Sequence, residues 1–205
     1  MGLSDVMSGY GGKSFPLPDI AGVYAGKSLV ICGDAACVWN DLERFGCVSH
    51  VGRGSVCKPG WDFMSVNKLV ETFPGNLEHA YSNEPHLLAH FLAARRQEYL
   101  REFEPPRHTH SCNKGAMWRW PWGGHGTSAL GATLAGIGLG YEQIVLCGVP
   151  LDNGSHNGEP PWRKCRFEKE AEGAKNHYWK DAIARAFDGK VKSMSGRTMQ
   201  WLGEP

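Results

Sequence analysis

The chain has 205 residues, a hydrophobic fraction of 41% and a formal net charge of +1. That length and composition fit one α/β domain with a substantial core and exclude extended disorder. Near-zero charge gives no global field for nucleic acid or acidic membrane, no run nears the roughly 18 apolar residues of a membrane span, and no apolar signal core is present, so a cytoplasmic protein is expected.

Residues 1–26 are rich in Gly and Pro and read as an irregular N-terminal arm, with Phe15 and Ile20 docking on the body. Ser28 to Cys32 is the first strand, ending in Gly33-Asp34, and 35–45 reads as a helix closed by Gly46. Residues 47–60 look like a connection. Cys32, Cys37, Cys47 and Cys57 fall in or near these core elements, and the odd total of seven cysteines favours reduced thiols over a disulfide framework. Strands are predicted at 62–66, with Asn67 at the tip, and at 77–81. A helix follows over 85–101, and a less apolar strand at 107–113 suits a sheet edge. Met117 to Trp122 is an aromatic loop. Then comes the most strongly patterned unit, a Gly-rich turn at 123–126, Thr127 and Ser128, a helix of small and apolar residues over 129–139, and an apolar strand at 144–147. Residues 152–176 carry Gly, Pro and charge without apolar periodicity and read as a lid. A helix over 178–187 and a strand at 190–194 complete the chain. This alternation predicts a single α/β domain with one doubly wound, mostly parallel sheet.

In such sheets ligands bind beyond the carboxyl ends of the strands. Gly33 and Asp34 could let a nucleotide approach the first turn, although G-x-G-x-x-G and P-loop spacings are both missing. Asn67 suits hydrogen bonding to a base or ribose, and equally a helix cap. Thr127 and Ser128 could bind an anion through free N–H groups, or serve as plain caps. Asp152 follows the second apolar strand. Trp118, Trp120 and Trp122 alternate around Arg119, which fits stacking on a ligand, core anchoring or a contact in a homo-oligomer. His108, His110 and Cys112 would share one strand face as a metal half-site, but no second cluster stands at zinc spacing. His156 and His177 bracket the lid, and histidine is the usual general base near neutral pH.

The ordered set SLVICGD, FMSVN, GTSALGATLAGIGLGYEQIVLCGVPLDNGS, KNHYWKDAIARAF and KVKSMSG resembles bacterial lipooligosaccharide sialyltransferases and related Rossmann-like proteins, some phage-encoded. The resemblance spans roughly residues 28–195. It implies a metal-independent glycosyltransferase of the A-type variant fold, with a nucleotide-sugar donor as substrate and no cofactor. It places Gly33, Asp34 and Asn67 on the nucleotide, Thr127 and Ser128 near the phosphate, and His177 as general base. His156, Arg163 or Arg166 would steady the departing phosphate. The first turn here is Gly-Asp-Ala-Ala rather than Gly-Asn-Gly-Pro-Ser, and two lid tyrosines of the family are missing, which argues against sialic acid as donor sugar.

The expected function is sugar transfer from an activated nucleotide to an acceptor hydroxyl on a glycan, a small molecule or a modified DNA base. The rivals are a non-catalytic nucleotide-binding or sensing module, and a pterin pyrophosphokinase-like transferase that would need Mg²⁺ at Asp34 and Asp152.

Overall fold

The wholly apolar runs Leu29–Cys32 and Ile144–Cys147 demand cover on both faces, and the fold supplies it. The computed structural model describes residues 16–49, 56–99, 103–122, 127–152 and 169–205. In chain order the elements are β1 (Ser28–Cys32), α1 (Val38–Arg44), β2 (Val48–Ser49), β3 (Val56–Cys57), β4 (Trp61–Val66), α2 (Leu69–Thr72), β5 (His79–Tyr81) and α3 (Pro85–Ala94). After them come β6 (His108–Ser111), β7 (Trp118–Arg119), α4 (Ser128–Leu139), β8 (Gln143–Cys147), α5 (Lys169–Ala182), β9 (Val191–Ser193) and α6 (Gly196–Leu202). Helices α3 and α5 each run on into one π-helical turn, Arg95–Tyr99 and Ile183–Phe187.

Seven strands form one sheet in the order β7-β6-β5-β4-β1-β8-β9, every pairing parallel. The short β2 and β3 form a separate antiparallel pair inside the expected 47–60 connection. Alternation along β1 divides the core between the two faces. Leu29 and Ile31 meet α4, Trp120, Trp122 and Trp179 on one face. Val30 and Cys32 meet Val38 and Leu42 of α1 with Leu69 and Phe73 on the other. The chain therefore leaves β1 toward one face and leaves β8 toward the opposite one. Strand order reverses between β1 and β8, which is the topological switch point of a Rossmann-like sheet.

Helix α4 explains its own composition. Ten of its residues, Leu130 to Leu139, are buried, and Gly140 closes it in the left-handed conformation at φ 97°. A helix buried all round cannot be amphipathic, and its small residues let it lie directly on the sheet.

Three expectations change. The strand at β6 is not an edge, because Trp118 and Arg119 pair outside it. Trp120 and Trp122 are buried and stacked, with centroids 4.7 Å apart, so they anchor the core. The last long helix begins at Lys169 rather than 178, so the expected lid over 152–176 gives way to helix from 169 onward. Lys, Glu and Ala favour helix without an apolar stripe, so periodicity alone missed this half. Residues 153–168, with His156, Arg163 and Arg166, lie outside the described residues, as do Phe15 and the 123–126 turn. Among the described residues no helix is long and apolar enough to cross a membrane.

Candidate functional site

The strand-tip edge begins at the switch point. Gly33 N–H donates to Cys147 O at 2.8 Å and Ala35 N–H to Gly148 O at 3.3 Å, so the chain leaving β1 runs hard against the chain leaving β8. A Cβ on Gly33 would collide with the Gly148 carbonyl oxygen and lie 2.7 Å from Val149 Cγ2. Gly148 itself sits at φ 68°, a conformation glycine adopts freely. The glycine after β1 is thus required by backbone packing, whatever else it does.

Asp41 locks this corner from the α1 side. It is 1% exposed, and its Oδ2 accepts from Gly148 N–H at 2.8 Å and from the Ser195 hydroxyl at 2.7 Å. The Cys37 Sγ lies 3.5 Å from Ser195 Oγ. Burial, then the charges of Asp41 and Asp152, push the Cys37 thiol up to about 11, although its contact with Ser195 works the other way, so it stays protonated at neutral pH. Asp34, Asp41 and Asp152 gather at this end of the edge, where Arg197 donates its N–H to Pro150 O and Arg44 reaches Met194 O.

The next strands end differently. Asn67, Asn83 and Asn113 each follow one of β4, β5 and β6 within two residues. Asn67 has φ 55°, donates its N–H to Tyr81 O and accepts from Val70 N–H. The residue at the N-cap of α2 is Lys68, and the Asn67 side chain bonds no described group, so it is no helix cap. Asn83 is the hub of the neighbouring corner. Its Oδ1 accepts from the Tyr81 hydroxyl at 3.1 Å and the Cys112 thiol at 3.4 Å. Its carbonyl accepts from Asn113 Nδ2 at 2.6 Å, and its N–H donates to Ser128 Oγ at 3.4 Å. Thr127 is the N-cap of α4: its hydroxyl oxygen accepts from Leu130 N–H and from Trp179 Nε1, both at 3.2 Å. Arg119 donates from Nε to Cys112 O at 3.2 Å, bringing the guanidinium to the same corner.

The structure therefore brings Gly33, Asp34, Asn67, Thr127, Ser128 and Asp152 to one end of the sheet. His177 does not stand at a helix N-terminus as the sequence reading expected. His177 is exposed and well inside α5, so no helix N-terminus acts on it. It stands two residues from Trp179, whose indole reaches Thr127, and two residues on a helix turn a side chain about 200° away.

The histidines of β6 serve another purpose. Trp120 Nε1 can only donate, and it reaches His110 Nδ1 at 3.1 Å. Neutral His110 then donates from Nε2 to His79 Nδ1 at 2.9 Å, and His79 Nε2 to Tyr141 Oη at 2.8 Å. Tyr141 donates to Asp62 Oδ2 at 2.8 Å, beside Lys27. Burial holds His79 down to about 2 and His110 to about 3, so both are neutral. His108 Nδ1 takes the Trp118 indole N–H at 3.2 Å. The face weighed as a metal half-site is otherwise engaged: both nitrogens of His110 are bonded, and the Cys112 thiol reaches Asn83 Oδ1. Among the described residues no group of three or more metal-ligating side chains comes together.

This network lies at the amino ends of the strands, beneath a cavity of about 370 Å³ lined by Ile20, Tyr24, Lys27, Arg107, His108 and Trp118. Its two cations each face a carboxylate, Lys27 toward Asp62 and Arg107 toward Glu78, and Asp19 also lines it, so it offers a ligand no excess of positive charge.

Asn83, Asp41 and Ser195 were not singled out by sequence reasoning. The recurrence of asparagine after three successive strands was the available signal for Asn83; nothing local marked Asp41, whose partner Gly148 is 107 residues away. No family model, curated protein or solved structure matches the chain.

Proposed function

We propose that this chain binds a nucleotide across the carboxyl ends of β1, β4, β5 and β8, and uses it as the activated donor in sugar transfer to a hydroxyl. One observation carries the binding half: polar groups of Asp34, Asn67, Asn83 and Ser128 converge on the end of the sheet where strand order reverses. The transfer half rests on the family resemblance. His177 keeps its proposed role as base on that resemblance alone, and its exposed position supports a second reading, a nucleotide-binding module without catalysis.

A thermal-shift panel of CMP, UMP, GMP and AMP with their sugar conjugates tests the binding half. At a tenfold excess over Kd the right nucleotide is expected to add about 1.4 kcal/mol, or roughly 3–5 °C in Tm. A flat response across the panel up to millimolar concentration defeats the proposal. Release of free nucleotide from the stabilising sugar conjugate then separates transferase from binding module.

A further inference from the structure

The proposed function makes no use of the histidines and tyrosines at the amino ends of the strands. Buried titratable groups held far from their ordinary values, as His79 and His110 are, cluster at functional sites. Here they lie beneath an open cavity of about 370 Å³, within the size range of small-molecule pockets. His79, His108 and Trp118 are the first residues of β5, β6 and β7, so this cavity and the switch point occupy opposite ends of the sheet.

Half of the cavity wall comes from the chain before β1, and main-chain bonds hold it in place. Gly22 N–H donates to Gly138 O at 3.0 Å and Tyr24 N–H to Leu139 O at 2.9 Å, both at the end of α4. Glu142 N–H donates to Lys27 O at 3.0 Å. The Tyr24 hydroxyl donates to Glu78 Oε1 at 2.5 Å, and its ring stacks on Tyr141 with centroids 5.1 Å apart. The wall is therefore built before any ligand arrives.

Its chemistry has two halves. Ile20, Val23 and Trp118 supply apolar surface: Val23 is 64% exposed, and the one polar side-chain atom of Trp118 is spent on His108 Nδ1. The polar half offers donors. Because His108 Nδ1 accepts from the indole, the neutral ring carries its hydrogen on Nε2. That atom stands 3.9 Å from Glu78 Oε1, beyond hydrogen-bond reach, and among the described residues no acceptor bonds it. Burial lowers the pKa of His108, with Glu78 working against it, so the ring is neutral near pH 7. Lys27 and Arg107 add further N–H groups. An anion would meet those two cations only with Asp19, Asp62 and Glu78 close by, and a cation would meet the ammonium and the guanidinium. Neither sign of charge is favoured, whereas an uncharged acceptor suits the donors without opposing either set.

We propose that the amino-end cavity binds a small uncharged aromatic molecule bearing a carbonyl, with its ring against Trp118 and Val23 and its oxygen on His108 Nε2–H. This site stands apart from the nucleotide reading and does not depend on it.

Proton–nitrogen NMR of the full chain tests it with benzamide, benzoate and benzylamine, probes of one size and three charges. Benzamide is expected to shift the Trp118 indole N–H and the Val23 and His108 amides. Its Kd should be about 1 mM, and at least about fivefold tighter than that of either charged probe. Val23→Trp fills the mouth from an exposed position, so it should weaken benzamide about tenfold and leave the urea midpoint unchanged. No shift at tens of millimolar benzamide overturns the proposal. So does a charged probe that binds as tightly. Benzamide binding that Val23→Trp leaves undiminished puts the ligand elsewhere and overturns it too.

Discussion

Lowering the pH from 7.5 to 5.5 is expected to reduce the unfolding free energy by about 2.7 kcal/mol, through His79 and His110. In the unfolded chain both imidazoles titrate near the ordinary value of 6.5. In the native state burial, and for His79 the neighbouring His110, hold them neutral down to about 2 and 3. Their folded values are depressed, so the unfolded state binds the extra protons. The stabilisation is complete above 6.5 and is lost progressively as pH falls through the window between 6.5 and roughly 3. Each histidine contributes about 1.36 kcal/mol per pH unit once well inside that window. His108, also lowered by burial, acts in the same direction. The chemistry behind the shift is directional. Protonating His110 would put a hydrogen on Nδ1, against the Trp120 indole donor, and protonating His79 would do the same against His110. Urea midpoints at pH 7.5, 6.5 and 5.5 measure the slope, and nitrogen NMR should find hydrogen on Nε2 of both rings. A flat profile, or rings carrying hydrogen on Nδ1, refutes this account.

That network also marks the limit of what the sequence discloses. The apolar runs Leu29–Cys32 and Ile144–Cys147 announce buried parallel strands, and the structure places them side by side. The glycine after each was visible as a turn signal. Their mutual contact was not, because it joins Gly33 to a residue 115 positions on, a separation that no local pattern encodes. His79 reaches His110 and Tyr141, 31 and 62 residues away. In the sequence His108 and His110 looked like half of a metal site because alternation fixes only the face of a strand; their partners come from other strands and from the loop after α4. Misplacing the helix start beside His177 has a different cause. The apolar residues of α5 are confined to its second half, so periodicity located a helix but not its start, and the dipole argument for that residue went with the boundary. At the candidate site Asn67, Thr127 and Ser128 were legible as strand-tip and helix-start residues. The corner they border is completed by Tyr81, Asn83 and Cys112, at or just beyond the ends of β5 and β6, which pair only in three dimensions.

Gly131→Ala is expected to destabilise the protein by about 2 kcal/mol and to loosen the strand-tip corner, although alanine is the better helix former. Gly131 lies in α4 directly over Tyr81. A methyl group built there would sit 2.6 Å from the Tyr81 Cζ and 2.8 Å from Cε1, and closer still to the phenol oxygen. The ring cannot yield, since Tyr81 is fully buried and its hydroxyl is held by Asn83. Overpacking of this kind costs up to about 3 kcal/mol, against a gain of about 1 kcal/mol from helix propensity. Gly136→Ala, one and a half turns along the same helix, supplies the control. Its methyl would meet Leu29 Cδ2 at 2.9 Å and Ile144 Cδ1 at 3.1 Å, both at the far ends of flexible side chains. There the same propensity gain meets a smaller clash, so the change should stay within about 1 kcal/mol of wild type. Urea unfolding of the two variants measures the difference directly. Shifting Tyr81 also releases Asn83 Oδ1, so Gly131→Ala should lose affinity for CMP beyond what Gly136→Ala loses. Equal stability of the two variants would show that the helix lifts from the sheet without cost, and that close contact at Gly131 does not hold Tyr81 in place.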